Sequence, residues 1–175
     1  SSSGSATKQT TRRPAASQKA TARPAATAAV RPPAVSSLPS QSLTPGSGGV
    51  EGYAEQVLSL VNAERAKAGV GALVLAPALC QAAAARAQEI TGTFSHTRPD
   101  GSDCFTILRQ FGISYRAVGE NIAAGQRTPE AVMNSWMDSS GHRANILSAS
   151  YRKLGVVCVQ TGSGYGIYWT QLFTD

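Results

Sequence analysis

Residues 136–147 read Trp-Met-Asp-Ser-Ser-Gly-His-Arg-Ala-Asn-Ile-Leu and contain one of the two histidines of the chain. His142 follows Ser-Ser-Gly, a cluster that ends one helix or starts the next. Its ring is therefore predicted at a turn and not within an apolar helix face. This stretch is the first place where the sequence indicates a functional side chain.

The second histidine is His96, in Phe94-Ser95-His96-Thr97, and between the two histidines lies Gly119-Glu120-Asn121-Ile122. Two neutral imidazoles and a carboxylate suit Zn²⁺ or a similar divalent ion with an open position for water, and Asp138 offers a fourth group. These residues are too widely spaced for the helix motif of a zinc protease, so only the fold can bring them together. The alternative is that both histidines cap helices or form hydrogen bonds within loops, while Glu120 pairs with an arginine.

Other chemistries have weaker support in the sequence. Ser135, Ser139, Ser140 and the Cys104 thiol are candidate nucleophiles near histidine, but none lies in a GxSxG elbow or a cysteine-protease signature. The glycine-rich residues 162–166 are better explained as a hairpin turn than as a phosphate-binding loop, and no RNA-binding aromatic motif is present. We therefore expect no specific recognition of nucleic acid.

Charge and composition divide the chain near residue 50. Of its 16 basic and 10 acidic residues, six basic and no acidic residues precede Val50, so the net charge of +6 belongs to residues 1–49. This segment is rich in Ser, Thr, Ala and Pro, which predicts a disordered linker followed by one globular domain over 50–175. A basic linker favours anionic cell-wall polymers, although salt screens its thinly spaced charges.

Two features concern export and membranes. No run of about 18 apolar residues occurs, so no transmembrane segment is predicted. The chain begins at Ser1 and not at methionine, which is compatible with removal of an upstream export signal.

The hydrophobic pattern predicts helices in the first part of the domain and strands in the last. Residues 53–68 have helical spacing, with Arg65 assigned to a polar face. Further helices are predicted to begin at Pro77, near Phe105, at Thr128-Pro129 and at Gly141, and strands are predicted over 115–124, 154–159 and 165–173. This order predicts an α+β domain with helices packed on a small antiparallel sheet.

The chain has three cysteines, Cys80, Cys104 and Cys158. This odd number is too small for a disulfide scaffold and lacks the CxxC spacing of structural zinc sites. One bridge with one free thiol is compatible with it. Cys80, on the helix that begins at Pro77, is interpreted as a small packed hydrophobic residue.

Five motifs occur in an order that resembles the CAP superfamily, which includes cysteine-rich secretory proteins, antigen 5 and plant pathogenesis-related 1 proteins, and in particular its bacterial SCP-like branch. They are Phe94-Ser95-His96, Gly119-Glu120-Asn121-Ile122-Ala123, residues 136–147, Leu154-Gly155-Val156 and Tyr168-Trp169-Thr170-Gln171. The resemblance covers residues 53–175. It implies a three-layer α-β-α sandwich with a small, mainly antiparallel central sheet, in a secreted or cell-surface protein.

The resemblance also implies a site. In the family a His-Glu-Glu/Asp-His tetrad lines a central cleft and in some members binds a divalent metal, often zinc. His96, Glu120 and His142 match three positions, whereas the fourth falls near Ser139 and only Asp138, one position earlier, supplies a carboxylate. The many disulfides of eukaryotic members are absent, and with this resemblance a single Cys104–Cys158 bridge is expected.

Three functions remain open at this point. The first is a binding module whose cleft, with or without metal, recognises a lipid, polysaccharide or protein. The second is a metal-dependent hydrolase of cell-wall or peptide substrates, in which zinc lowers the pKa of a bound water and Glu120 or Asp138 acts as the base. The third is an interaction scaffold with a vestigial cleft.

Overall fold

A computed structural model describes residues 52–175, so the predicted linker over 1–49 lies outside the described residues. The elements, in chain order, are α1 (Tyr53–Lys67), β1 (Val74–Leu75), α2 (Pro77–Gly92), a 3₁₀ turn (Cys104–Thr106), α3 (Ile107–Gln110), β2 (Val118–Ala124), α4 (Pro129–Asp138), α5 (Ser140–Ile146), β3 (Lys153–Gln160) and β4 (Ile167–Thr174). Each helix and strand that the sequence predicts is present. The Thr128-Pro129 start is confirmed in detail, because Thr128 Oγ1 accepts a hydrogen bond from Ala131 N at the first turn of α4.

The four strands of the described chain form one sheet in the order β1-β3-β4-β2. β3 and β4 form the predicted hairpin, and β2 pairs antiparallel with β4, but β1 runs parallel to β3. The sheet is therefore mixed. β1 was not predicted because two residues are too few to show a period of two. β2 lies at one edge of the sheet.

Helices cover both faces of this sheet, which confirms the three-layer α-β-α sandwich. On one face α1, α4 and α5 enclose a core that includes Trp136, Trp169 and Phe173. On the other face α2 and α3 enclose a second cluster with Leu79, Leu108 and others. Side chains of β2 alternate between the faces, so Glu120 and Ile122 point towards the α2 layer and Asn121 towards the other.

Gly155 allows α2 to lie close to the sheet. A Cβ at this position would overlap the Leu79 carbonyl group of α2 and would come within 2.8 Å of the Cys80 nitrogen. Because the neighbouring atoms belong to the backbone, they cannot rotate away. The close approach of α2 to β3 therefore requires glycine here.

The helical pattern predicted Arg65 on a polar face of α1, and this prediction is wrong. It is fully buried on the same side of α1 as Val57 and Val61. Its guanidinium donates to the carbonyl oxygens of Gly71, Ile146, Ser148 and Tyr151 at 2.7–3.3 Å. The pattern along α1 does not reveal this, because three of the four carbonyls that satisfy the buried charge come from residues 81 to 86 positions further along the chain.

The predicted Cys104–Cys158 disulfide does not form, and all three cysteines are free thiols. Cys158 belongs to the sheet face that packs on α1 and α4, where it contacts the larger core cluster. Cys104 lies on the opposite side, within reach of Glu120. The central sheet therefore separates the two sulfur atoms.

Candidate functional site

Glu120 is the centre of a buried polar cluster on the α2 side of β2. Its side chain is 1% exposed and faces Arg86, a fully buried residue of α2. Arg86 Nε donates to Oε2 at 2.8 Å, and Arg86 Nη2 donates to Oε1 at 3.2 Å. The bond pattern is bidentate, the geometry in which an arginine–carboxylate pair is strongest. The alternative in which Glu120 pairs with an arginine is confirmed.

His96 completes this cluster from the loop that follows α2. Its Nδ1 lies 2.8 Å from Glu120 Oε1, and 38% of its side chain is exposed. A carboxylate accepts hydrogen bonds, so the neutral imidazole carries its proton on Nδ1 and keeps the lone pair of Nε2. Glu120 thus sets both the orientation and the tautomer of His96.

A second acid holds the His96 loop against α2. Arg86 Nη1 donates to Glu89 Oε2 at 2.7 Å, and Arg86 Nη2 donates to the carbonyl of Ser95 at 2.8 Å. Arg98, in the same loop as His96, donates to Glu89 Oε1 at 2.6 Å. Charges alternate along Arg98, Glu89, Arg86 and Glu120, so each buried charge has an opposite neighbour.

The pKa values of these groups follow from the alternation. Burial acts to lower the pKa of Arg86, but its hydrogen bonds and ion pair with Glu120, helped by Glu89, raise it above the ordinary value. Burial acts to raise the pKa of Glu89, and the bonds from Arg98 and Arg86 lower it instead. Both groups are therefore charged at neutral pH.

His142 approaches from the other side, in the first turn of α5. Its backbone carbonyl accepts a hydrogen bond from Asn121 Nδ2 at 3.2 Å, and its half-buried side chain makes no hydrogen bond to any residue of 52–175. Burial lowers the pKa of His142, and the positive charge of a protonated His96 lowers it further. His142 is therefore a neutral imidazole at neutral pH, and its ring lies close enough to His96 for the charge of one to act on the other.

Cys104 is the third group near Glu120 and His96. Ligand atoms of these three residues lie within 4.8 Å of one another. Burial, followed by the negative charge of Glu120, raises the pKa of the Cys104 thiol. The thiol is therefore protonated at neutral pH, a buried neighbour of Glu120 and not a thiolate.

Asp138 lies outside the cluster around Glu120. It is the last residue of α4 and is exposed. Ser139, the position where the fourth acid of the tetrad falls, caps the end of α4 and precedes α5. The structure thus brings together His96 and Glu120, places His142 near them, and leaves Asp138 at the surface.

A cleft of about 280 Å³ lies along β2 and is lined by His142 but not by His96 or Glu120. Its floor includes Ile122, Ala123 and Ala124, and His142 lies in its wall. The aromatic rings of Phe94 and Tyr165, which are 46% and 65% exposed, stand at the same cleft. The cleft thus combines an imidazole, a strand edge and an exposed apolar surface.

Arg86 is the functional residue that the sequence did not reveal. It lies in the alanine-rich run of α2, where its neighbours Ala82, Ala83 and Ala87 are also buried. A single arginine at the apolar positions of a helix is the signal that was available, because such a charge must find a partner. The sequence does not say that the partner is Glu120, 34 positions away.

The comparison with known families is decisive. The sequence model of the cysteine-rich secretory protein family, CAP, matches residues 58–173. This chain belongs to the CAP family. Its CAP domain is 42% identical over 126 residues to the uncharacterized protein YkwD of Bacillus subtilis, a match that spans 71% of this chain and 48% of YkwD. The chain thus covers about half the length of that relative.

Solved structures share the fold of the CAP domain. An extracellular protein of Bacillus anthracis that contains an SCP domain is 26% identical, with a TM-score of 0.64 over 78% of this chain and 45% of that protein. An outer surface protein of Borrelia burgdorferi is 20% identical, with a TM-score of 0.62 over 69% of this chain and 90% of that protein, and shows the fold alone. None of the helices over residues 52–175 combines the length and apolar character needed to cross a bilayer.

Proposed function

We propose that this CAP domain is an extracellular binding module that holds a divalent metal, zinc in the first place, between His96 and His142 beside its cleft. The observation that carries the proposal is the hydrogen bond from His96 Nδ1 to Glu120 Oε1 at 2.8 Å. A histidine that binds metal through one nitrogen commonly donates from the other to a carboxylate, which fixes the ring and raises its basicity. His96 is arranged in this way, with Nε2 left to bind.

The donor set fits such a metal through the two imidazoles. Zinc requires neutral histidine, and the pKa of His142 is lowered, so its ring is neutral. Glu120 fits less well as a direct ligand, because Arg86 occupies both its oxygens and His96 shares one of them. In this proposal Glu120 therefore orients His96, and two histidines make the protein contribution.

Two groups are left out of the proposed ligand set. Asp138, which was predicted as a fourth ligand, is exposed at the end of α4. Cys104 lies near His96, but binding through sulfur requires a thiolate, and the pKa of this thiol is raised. Solvent would complete the coordination, which gives a weaker site than a four-residue one.

The position of Glu120 supports binding over hydrolysis. A general base must accept a proton from water in the cleft, so it needs a free oxygen and access. The Glu120 side chain is 1% exposed, and its oxygens bond Arg86 and His96. Metal-bound water is more acidic than bulk water, but none of the described residues that line the cleft is an acid that could receive its proton.

The extracellular assignment rests on the relatives. The extracellular SCP-domain protein of Bacillus anthracis shares this fold and is 26% identical to the present chain. We also propose that the present chain is secreted and that its basic residues 1–49 contact anionic wall polymers. The ligand of the cleft is a lipid, a glycan or a protein segment.

X-ray absorption at the zinc edge tests the metal site. We expect a first shell of nitrogen and oxygen atoms only, with the outer-shell scattering of two imidazoles. A sulfur at about 2.3 Å would replace the proposal by a site that includes Cys104. The Cys104→Ser variant is the matched control and should leave the spectrum unchanged.

A further inference from the structure

Side chains cover most of the outward carbonyl groups of β2. In the antiparallel register with β4, Gly119, Asn121 and Ala123 bond to the neighbouring strand, so Val118, Glu120, Ile122 and Ala124 direct their backbone groups away from the sheet. Three of these outward carbonyls have side-chain donors. Tyr151 Oη bonds Val118 O at 2.9 Å, Asn145 Nδ2 bonds Glu120 O at 3.2 Å, and Trp136 Nε1 bonds Ile122 O at 3.5 Å.

These bonds to the carbonyls stop at Ala124, which lines the cleft. Among residues 52–175, the four outward N–H groups of β2 and the carbonyl of Ala124 have no hydrogen-bond partner, and Ile122 and Ala124 line the cleft. Unpaired backbone groups on an edge strand are a template for another extended chain. Ala124, at the cleft, is thus the one outward residue of β2 whose N–H and carbonyl both lack a partner among residues 52–175.

The open edge lies beside an apolar wall. Phe94 comes from the His96 loop and Tyr165 from the β3–β4 turn, and their ring centroids are 6.1 Å apart. Both rings are well exposed, although large apolar side chains are usually covered in a folded domain. The wall offers contacts to side chains, while the strand edge offers donors and an acceptor to a backbone.

We infer that the cleft binds an extended peptide segment of a partner protein, which pairs with the backbone of Ile122 and Ala124 and packs an apolar side chain on Phe94 and Tyr165. The inference rests on the proposed binding role of the cleft and names its ligand class. Outward groups recur every second residue along a strand, and another extended backbone carries donors and acceptors at the same repeat. A lipid chain would leave these backbone groups unpaired, which is unfavourable.

The test uses ¹⁵N NMR of the zinc-loaded protein with a short capped peptide that alternates threonine with valine or phenylalanine. We expect the amide resonances of Ile122 and Ala124 to shift, and the Ala124 amide to exchange at least about tenfold more slowly at saturation. The same peptide with N-methylated backbone amides should not bind. Equal binding of the methylated and unmethylated peptides, or no shift at Ile122 and Ala124 with any peptide of the set, would overturn the inference.

Two protein variants and one competing ligand sharpen the result. Ala124→Pro removes the outward N–H, and proline is tolerated where the N–H of an edge strand faces solvent, so peptide affinity should fall about fivefold. Ala124→Ser keeps the N–H and should bind as the wild type does. If Ala124→Pro fails to fold, the methylated peptide on the wild-type protein decides. A chitin tetrasaccharide that shifts both amides while the peptides do not would replace the inference with a glycan site.

Zinc affinity, measured on the same samples, separates the two proposals. Normal zinc binding without peptide binding refutes the peptide inference and leaves the proposed metal site intact. Peptide binding at Ala124 without zinc binding refutes the metal site alone.

Discussion

Arg86 donates from Nε to Oε2 of Glu120 at 2.8 Å, and neither side chain is more than 1% exposed. Arg86 comes from α2 and Glu120 from β2, so the pair joins a helix layer to the edge strand of the sheet. Since Glu120 also receives His96 Nδ1, the ion pair links the stability of the domain to the geometry of its site. The first prediction follows from this linkage.

Arg86→Ala should lower the free energy of unfolding by about 3–5 kcal/mol, because it leaves the Glu120 carboxylate buried without its partner. Urea denaturation measures this. Lys67→Ala, which breaks the exposed pair with Glu64, is the control and should change stability by less than about 1 kcal/mol. The double variant Arg86→Met/Glu120→Met should recover part of the loss. Equal, small effects of Arg86→Ala and Lys67→Ala would contradict a structural role for the pair.

Gly155→Ala should destabilise the domain by about 1–3 kcal/mol, since the added Cβ meets backbone atoms of Leu79 and Cys80. Gly162→Ala is the matched control, because a Cβ there meets no atom within 4 Å and the residue does not need a positive φ. Thermal or urea denaturation compares the two. Wild-type stability of Gly155→Ala would show that α2 does not lie as close to β3 as described.

The three cysteines should remain thiols after exposure to air. Burial raises the pKa of Cys158 to about 12, and it also raises the pKa of Cys104, so both react slowly with a thiol reagent in the native protein at neutral pH. In denaturant without reductant all three cysteines should react. Only one reactive thiol under those conditions would restore the Cys104–Cys158 bridge that the family resemblance implied.

Stability of the metal-free protein should fall as the pH drops below about 6.5, the ordinary pKa of histidine. The folded pKa of His142 is lowered, first by burial and then by His96, so the unfolded chain binds this proton more readily. Acidification therefore stabilises the unfolded state relative to the folded state, until the pH falls below the pKa of His142 in the folded protein. His142→Gln should flatten the dependence between pH 5 and 7, as followed by urea denaturation at each pH. Asp138→Asn should leave it unchanged, and the same flattening there would contradict the assignment to His142.

The fold could be predicted from the sequence wherever local chemistry decides it. Thr128 and Pro129 indicate the start of α4 because a capping hydroxyl and a fixed φ act within one turn. The alternation of Ile167, Trp169 and Phe173 indicates a strand for the same local reason. Two-residue β1 has no such pattern, since its place depends on pairing with β3.

The site was predicted only in part, because its decisive contacts are long-range. Motif residues such as His96 and Glu120 stand out in the sequence, and they meet as expected. Arg86 does not stand out from a helix of alanines, although its charge explains why Glu120 is held away from the cleft. Asp138 lies one helical position from the place where the family has an acid, which is about 100° of rotation around the helix. Its side chain is exposed at the end of α4.

The most direct test of the account is a calorimetric zinc titration of the wild-type domain and of single variants near neutral pH. We predict that His96→Ala and His142→Ala abolish binding, that Glu120→Gln weakens it about 10–100-fold by releasing the orientation of His96, and that Asp138→Asn leaves it unchanged. Binding should also be lost below about pH 6, as the imidazoles become protonated. Zinc affinity that survives the His96→Ala/His142→Ala double variant, or that is lost in Asp138→Asn, would contradict a two-histidine site oriented by Glu120.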